Sequence, residues 1–228
     1  MKKILSTTAI AGSLCLLGTS AFAQFAGPYV GISVSSAGFG TEASKTSSNA
    51  NSTGSGNGPV GAIFPLAAID LGYSIAAGKG TTFAIGATYT PLKADFDGKS
   101  NDTGGLSHKF EIKNQYSIYV QPTFEINKDA AAFVKGFYSK ADVSATNLTR
   151  APGDLEGYGA SVGLRVMLTK DAFMQVEGVY TQYDTISATR TSVGTQQEGN
   201  NATATITRTF TAQDPKVAEG RITLGMKF

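Results

Sequence analysis

Apolar and polar residues alternate with a period of two along most of the chain. The clearest run covers residues 109–126, and its first face holds Phe110, Ile112, Tyr116, Ile118, Val120, Phe124 and Ile126. The second face holds Lys109, Glu111, Lys113, Gln115, Ser117, Gln121 and Glu125. A helix turns by about 100° per residue and would mix the two sets, whereas a strand keeps them on opposite faces. The run therefore predicts a β-strand with one apolar face.

The same alternation predicts eight strands in the whole chain. They cover residues 28–37, 60–76, 82–94, 109–126, 132–141, 155–168, 173–183 and 216–228. Three short connections (77–81, 127–131 and 169–172) alternate strictly with four long polar ones (38–59, 95–108, 142–154 and 184–215). Short turns at one end and long loops at the other are typical of outer-membrane barrels. We therefore predict an all-β fold, an eight-stranded antiparallel transmembrane β-barrel. It is an up-and-down meander with three short periplasmic turns and four long extracellular loops.

Period two alone does not show which face lies inside, because a soluble lipocalin-like barrel alternates too, with its apolar face inward. Three features favour an apolar exterior: the asymmetry of turns and loops, a polar face rich in small residues that suits a narrow lumen, and the position of the aromatic residues. The predicted aromatic girdle consists of Tyr89, Tyr116, Tyr138, Tyr158 and Tyr180 toward the loops and Phe124 toward the turns.

The last strand adds a fourth feature, because its apolar residues alternate with polar ones up to a terminal phenylalanine. These apolar positions include Ile222, Leu224, Met226 and Phe228. This ending resembles the assembly signal of bacterial outer-membrane barrels. The runs GPYVG at 27–31 and GYGASVG at 157–163 resemble the first and sixth strands of the OmpA-like and opacity-type eight-strand families.

The resemblance covers the whole mature chain. It implies a location in the outer membrane of a Gram-negative bacterium, in contact with outer-membrane lipid and lipopolysaccharide. It also implies insertion by the barrel-assembly machinery with the help of periplasmic chaperones.

The N-terminus has the features of a secretory signal peptide. Lys2 and Lys3 precede an apolar stretch at 9–17, and Ala21-Phe22-Ala23 forms a small-x-small cleavage site. We expect a signal peptide at 1–23 and a barrel domain at 24–228. The single cysteine, Cys15, lies inside the signal, so the mature chain has no thiol for a disulfide or a metal site.

Charge excludes one class of partner. The chain has 19 Lys and Arg against 17 Asp and Glu, and removal of Lys2 and Lys3 brings the mature net charge to zero. Nucleic-acid binding requires clustered basic residues, which no segment shows. No motif indicates a cofactor or a metal.

The polar face carries equal numbers of acidic and basic residues. The acidic ones are Asp70, Glu111, Glu125, Glu177 and Glu219, and the basic ones are Lys113, Lys135, Arg165, Arg221 and Lys227. We expect them to form a charge network in the lumen, since a buried charge must be paired. Folding strands six and seven about Asp171 predicts Arg165 opposite Glu177, and Lys135 is expected diagonal to Glu125. A structural plug is favoured over an ion pathway, because small barrels have interiors filled by side chains.

Three local predictions concern the strands and loops. Pro65, Pro91 and Pro122 fall inside predicted strands and each removes a hydrogen-bond donor, so we expect a bulge at Pro122. The first long loop is too polar to pack and is expected to be mobile. In the fourth loop, the Thr- and Ile-rich segments 185–190 and 203–210 predict a hairpin that extends the barrel outward.

Three functional classes fit this chain. The first is a monomeric protein whose extracellular loops have a structural role in the envelope or bind a surface ligand. We favour this class because the loops hold the variable polar surface. The second is a narrow porin or ion channel. The third, a lipid A-modifying enzyme, rests on His108 beside Ser107, but neighbouring strand residues point to opposite faces and cannot make a catalytic pair alone. We therefore predict a protein without enzymatic activity.

Overall fold

The computed structural model describes residues 23–48, 53–91, 94–98, 108–145, 149–150, 152–195 and 203–228. A 3-10 helix at Ala23–Phe25 precedes ten strands. They are β1 Gly27–Ser48, β2 Thr53–Gly78, β3 Thr81–Thr90, β4 Ala94–Gly98, β5 His108–Glu125, β6 Ala130–Ala145, β7 Leu155–Met167, β8 Ala172–Tyr183, β9 Ile186–Thr195 and β10 Thr203–Lys227. The predicted signal peptide lies outside the described residues except for Ala23. Within the described ranges, no helix is long and apolar enough to span a membrane.

Eight of the strands close into a ring. Each pairs antiparallel with its neighbours in the order β1-β2-β3-β5-β6-β7-β8-β10, and β10 pairs back onto β1. The remaining two, β4 and β9, lie in predicted loops and pair with β5 and β10. Closure leaves no strand edge at the level of the ring. The predicted eight-stranded antiparallel meander is confirmed, and the short connections fall at 79–80, 126–129 and 168–171.

The two faces of the ring differ in the predicted sense. Large apolar side chains are exposed on the outer face of all eight strands, and Ile32 and Val162, for example, are 67% and 62% exposed. The inner face buries polar side chains such as Ser33, Gln121 and Thr181. An exposed apolar surface of this extent marks contact with a membrane or a partner.

Glycines on the inner face make room for aromatic rings in a narrow lumen. A Cβ added at Gly72, Gly86, Gly159, Gly163 or Gly225 would overlap the ring of Tyr29, Tyr119, Phe137, Phe133 or Phe173 respectively. The glycines of β7 at 157, 159 and 163 therefore reflect crowding inside the ring.

Replacing Gly163 with alanine is expected to lower the free energy of unfolding by about 1–3 kcal/mol, because the added methyl overlaps a packed ring and a backbone carbonyl. These are the Phe133 ring and the Val176 carbonyl oxygen. Urea unfolding in detergent micelles measures the loss. Gly178→Ala is the matched control, since a Cβ at Gly178 meets nothing within 4 Å. Equal stability of the two variants would show that the lumen is not tightly packed at Phe133.

Pro122 is accommodated differently from the prediction. β5 passes Pro122 without a bulge, because Val120 pairs with Gly136 and Thr123 pairs with Phe133 in one continuous register. Only the two pairs between them are missing from the ladder to β6, while Phe83 of β3 pairs with Pro122 normally. Within the described residues, the pairing of β2 with β3 begins at Ile69, so no partner of Pro65 on that side is described. Pro91 lies just after β3 ends at Thr90.

The bulge in β5 lies instead near the loop end. The register to β6 shifts between Lys113 and Tyr116, and Asn114 has a positive φ of 51°. Because one extra residue is inserted, the faces exchange above this point. Ile112 therefore turns inward and packs beside Leu155 and Tyr183.

Four strands continue beyond the ring as a sheet that we call the blade. It comprises residues 39–48 of β1, 53–62 of β2, 186–195 of β9 and 203–213 of β10, in the order β2-β1-β10-β9. Ten strand residues span about 33 Å. The hairpin predicted in the fourth loop is confirmed by the pairing of β9 with β10.

The expectation of a mobile first loop is wrong for 38–48 and 53–59, which are strands. Side chains did not indicate this, since the segment is rich in Ser and Gly. The backbone of β1 is instead paired on both sides, with β2 and with β10, up to Ser48. Backbone hydrogen bonds on both sides replace the apolar contacts that the sequence lacks.

Candidate functional site: the barrel lumen and the blade

A layer of four charged side chains crosses the middle of the lumen. Lys135 Nζ lies 3.1 Å from Glu177 Oε2. Arg221 donates to both carboxylate oxygens of Glu219, at 2.8 and 3.1 Å. Arg221 also lies 3.6 Å from Glu177 Oε1. We call Lys135, Glu177, Glu219 and Arg221 the charge layer.

The charge layer is deeply buried and electrically balanced. The side chains of Lys135 and Glu177 are 4% and 1% exposed. Ser161 donates a further hydrogen bond of 2.7 Å to Glu177 Oε2. Two cations alternate with two anions, so each buried charge has an opposite partner, which is the condition for retaining ions in a low-dielectric interior.

Strand register explains why these four residues meet. Arg221 of β10 pairs directly with Glu177 of β8. Lys135 of β6 reaches Glu177 across β7, where it pairs with the small Ser161. The intervening strand therefore leaves space for the long lysine side chain to pass.

Both ion pairs expected from the sequence are wrong in their partners. The turn at 168–171 sets Arg165 opposite Gln175, which accepts two hydrogen bonds of 3.0 and 2.8 Å from the guanidinium. Glu125 pairs with Ala131, four residues along β6 from Lys135. In the charge layer, the opposite charges are paired in other combinations than these.

Arg165 lies between aromatic rings near the turn end. Its guanidinium carbon is 4.4 Å from the centre of the Phe173 ring and 4.9 Å from that of Tyr29. Among the described residues no ion pair of Arg165 is found, so the ring faces and Gln175 hold its charge.

Asp70 occupies the lumen wall opposite the charge layer. Thr88 donates a hydrogen bond of 2.6 Å to Asp70 Oδ1. Oδ2 has no hydrogen-bond partner among the described residues. Nearby, the hydroxyls of Tyr29 and Tyr119 are 2.7 Å apart. A cavity of about 10 Å³ is lined by Thr88, Tyr119 and the charge layer, and this is room for one water molecule.

Four predicted network residues lie elsewhere. Glu111 pairs with Ser144 and Lys113 pairs with Asp142, and the bulge at Asn114 turns both to the face opposite the inward Ile112. Their assignment to the lumen is therefore wrong, because the alternation in the sequence does not show the extra residue. Glu125 and Lys227 keep the inner face but lie at the turn end, away from the charge layer.

Apolar clusters lie above and below the polar layer. At the turn end, Phe25 of the 3-10 helix packs with Tyr29, Met167 and Phe173. At the loop end, Ala141, Leu155 and Tyr183 are buried, with Ile112, Val143, Ile186 and Val217 against them. Over the described residues, apolar side chains thus pack at both ends of the lumen, on either side of the charge layer.

The predicted girdle residues lie on the outer face. Tyr89, Tyr116, Tyr158 and Tyr180 are exposed toward the loop end, and Phe124 toward the turn end. Tyr138 is partly covered because its ring lies 5.3 Å from that of Tyr158. The terminal residues Ile222, Leu224, Met226 and Phe228 are also exposed on this face. The Phe228 amide donates to the Pro28 carbonyl at 2.9 Å and so ties the end of β10 to β1.

An exposed ion-pair group lies above the tyrosines. Lys140 Nζ is 2.7 Å from both Asp154 Oδ2 and Glu156 Oε1. The hydrogen bond from Lys140 holds the pKa of the Glu156 carboxyl below its usual range. This group joins the loop ends of β6 and β7.

The outer face of the blade carries an array of hydroxyl side chains and one carboxamide, which we call the hydroxyl grid. Its central columns are Ser44, Thr46 and Ser48 of β1 beside Thr211, Thr209 and Thr207 of β10. The flanking columns are Ser187, Thr189 and Thr191 of β9 and Asn57, Ser55 and Thr53 of β2. The repeat of Thr at every second position of 203–211 is the sequence signal for this face.

The inner face of the blade carries two arginines side by side. Arg190 of β9 pairs directly with Arg208 of β10. Arg190 Nη1 and Arg208 Nε are buried and have no hydrogen-bond partner within the described ranges. The inner face of the blade thus carries two adjacent arginines, while Arg150 on the outer face is the bridge partner of Thr189.

The described residues contain no group of His, Cys, Asp and Glu that could hold a metal. The side chain of His108 lies outside the described part of the structure. The side-chain geometry at His108, on which a lipid A-modifying activity would depend, is therefore not described.

No protein-family model matches the sequence, and no curated protein matches it. Solved structures do match. The outer membrane protein OprG from Pseudomonas aeruginosa is 14% identical, with 89% of this chain and 97% of that chain covered and a TM-score of 0.50. Neisserial surface protein A is 13% identical over 88% and 97% of the chains, with a TM-score of 0.47. Ail of Yersinia pestis is 12% identical over 87% and 99%, with a TM-score of 0.38. The chain has the fold of bacterial outer-membrane β-barrels.

Proposed function

We propose that this protein spans the outer membrane of a Gram-negative bacterium and acts as a surface-interaction protein through its blade. The apolar outer face of the ring supports the membrane location, because a surface of exposed Ile, Leu and Val on all eight strands is compatible with lipid and not with water. The turns then face the periplasm and the blade faces the outside, as in other barrels with short and long connections.

The observation that carries the proposal is the contrast between the lumen and the blade. The lumen is filled by the charge layer and by apolar clusters at both ends. The blade, in contrast, is a regular four-stranded sheet with an exposed face, held by pairing up to Ser48. An ordered surface that projects from a rigid scaffold is the usual location of a binding function.

The test is a trimmed variant in which residues 43–58 and 188–210 are each replaced by a two-residue turn. We expect it to insert and to keep the electrophoretic shift on heating that marks a folded barrel, because the replaced segments lie above the ring. Binding is measured on arrays of glycans and of extracellular proteins with protein purified from outer membranes. The intact protein is expected to bind and the trimmed variant is not. Equal binding of both, or no binding by the intact protein, would contradict the proposal.

A narrow channel is the second candidate function, and the observation that favours it is the polar cavity beside the charge layer. Planar-bilayer recordings separate the two candidates. If the side chains of the lumen block ions, the intact protein gives no conductance steps. Steps whose size changes in Glu177→Gln would show that ions pass the charge layer and would overturn the plug.

A further inference from the structure

Two arginines lie side by side on the inner face of the blade, without a counter-charge among the described residues. Arg190 of β9 pairs directly with Arg208 of β10, which sets their Cβ atoms about 5 Å apart. Arg190 Nη1 and Arg208 Nε are buried and have no hydrogen-bond acceptor. Like charges directly opposite each other destabilise a sheet, and a buried donor without an acceptor adds to that cost. An anion bound between the two guanidinium groups would remove both costs.

The blade around this pair is electropositive. Its described residues include three basic side chains, those of Lys45, Arg190 and Arg208, against the single acidic side chain of Glu42. All three basic residues are on the inner face, whereas Glu42 is on the outer face with the other even-numbered residues of β1. Arg150, which bridges to β9 on the outer face, adds a further cation nearby. A surface with this excess of positive charge attracts anions.

Small residues leave open space beside the pair. The row of Arg190 and Arg208 continues to Ser47 of β1 and then to Gly54 of β2. A Cβ added at Gly54, or at Gly56 one row below, would meet nothing within 4 Å. Both arginines are partly exposed, and the hydroxyl of Ser47 is a further potential donor. A ligand group can therefore approach the pair over the glycines.

The number of donors favours a phosphate over a carboxylate. Each guanidinium presents a planar fork of N–H donors that matches two oxygen atoms of an anion. A carboxylate has only two oxygens and saturates one fork, whereas the terminal oxygens of a phosphate monoester can accept from both. A phosphate monoester also carries nearly two negative charges at neutral pH. It therefore matches the two arginines in charge as well as in acceptors.

The direction of the inner face separates the pair from the surrounding lipid. Ile186 lies on the same face of β9 as Arg190, and it packs against the apolar cluster at the loop end of the lumen. The inner face therefore stands over the mouth of the ring. The exposed Ile32 and Val34, which face the membrane, are on the opposite face of the sheet.

The height of the pair also separates it from lipid headgroups. Tyr180 of the girdle is level with Gly38 through the pairing of β8, β10 and β1. Ser47, the partner of Arg208, lies nine residues beyond Gly38, which is about 20–25 Å above the tyrosine for strands tilted by about 40°. The headgroup region occupies only about 5–8 Å. The pair is thus open to molecules dissolved in the external medium.

We propose that Arg190 and Arg208 form a binding site for the phosphate monoester group of a soluble extracellular ligand. This inference rests on the proposed surface-interaction function and names the chemistry of its ligand. The two arginines are held on paired strands, so the spacing of their guanidinium groups is largely set before the ligand binds.

The experiment follows the arginines by NMR in the intact, isotope-labelled barrel in nonionic detergent micelles. Inorganic phosphate and acetate are the probes, in a low-salt buffer without other oxyanions. Arg190→Lys and Arg208→Lys assign the Nε–H resonances of the two side chains. We expect phosphate to shift both resonances in a saturable way and acetate to bind about tenfold more weakly, since it can satisfy only one fork.

Two variants test whether the forked donors matter beyond the positive charge, with phosphate affinity measured from the broadening of its phosphorus resonance. Arg190→Lys/Arg208→Lys keeps both charges but loses both forks, and it is expected to bind phosphate about tenfold more weakly. Arg150→Lys on the outer face of the same sheet is the matched control and is expected to bind like the intact protein. The electrophoretic shift on heating confirms that each variant is folded.

Four results would overturn the proposal. They are arginine resonances that phosphate leaves unmoved, equal affinity of the double Lys variant and the intact protein, equal affinity for acetate and phosphate, and a shift that only phosphatidylglycerol in the micelles produces. A shift that grows with protein concentration, without added anion, would show that a second copy supplies the anion and would also overturn it.

The array experiment separates this inference from the proposed function. If the trimmed variant loses array binding while phosphate moves neither arginine, the inference fails and the proposed function stands. If phosphate binds the pair but the intact protein binds nothing on the arrays, the site is supported and the proposed function is contradicted.

Discussion

Glu177→Gln is expected to lower the free energy of unfolding by about 3–5 kcal/mol, since it removes one partner from a buried ion pair. Glu177 is the carboxylate that both Lys135 and Arg221 contact. After the substitution, Lys135 has lost its charged partner while it remains buried. Urea unfolding of the refolded barrel, followed by tyrosine fluorescence or by the electrophoretic shift on heating, measures the loss.

Two further variants make this result specific. Glu156→Gln removes a carboxylate from the exposed group around Lys140, which retains Asp154, and it is expected to change stability little because solvent screens that pair. Lys135→Met/Glu177→Leu replaces the buried pair by apolar residues and leaves the Arg221–Glu219 pair in place. It is expected to be clearly more stable than Glu177→Gln. Equal losses in Glu177→Gln and Glu156→Gln would mean that water reaches the charge layer.

Phe173→Ala is expected to cost about 3–5 kcal/mol, the usual range for a buried phenylalanine. The Phe173 ring fills the turn end of the lumen beside Phe25 and Met167, meets Tyr29 edge-on at 5.9 Å, and faces the Arg165 guanidinium. Its loss leaves a cavity that neighbouring glycines cannot fill. The measurement is again urea unfolding in micelles.

Phe124→Ala is the matched control, because Phe124 lies at the same end of the barrel but is 50% exposed on the outer face. A smaller loss is expected there, since detergent or lipid occupies the space of the missing ring and no cavity remains. If both substitutions cost the same, packing inside the lumen is not what holds the turn end together.

The ring of eight strands was predictable from the sequence because a strand in a barrel has one apolar and one polar face along its whole length. The face assignment of Lys135, Arg165, Glu177, Glu219 and Arg221 followed directly from that alternation. Their partners did not follow. Lys135 and Glu177 are joined across an intervening strand, and that contact depends on the small Ser161 between them and on the register of two ladders.

Two other features could not be predicted from the pattern of apolar and polar residues. The bulge at Asn114 exchanges the faces of β5, but its neighbours keep a regular pattern of residue types, so Glu111 and Lys113 were assigned to the lumen. The part of the blade formed by β1 and β2 is rich in Ser, Thr and Gly, which give no apolar periodicity. Its strands form because β1 finds backbone partners on both sides, which is information from distant parts of the chain.

The pairing of β1 with β10 joins the first strand of the ring to the last, from Tyr29 with Lys227 to Ser48 with Thr207. Contacts between residues so far apart in the chain form late, because the intervening chain must be ordered first. The same two strands provide the central columns of the hydroxyl grid. The outer surface of the blade therefore forms only when the ring closes, and an unfinished or truncated chain lacks this surface. A partner that binds the blade therefore binds only barrels whose ring is closed.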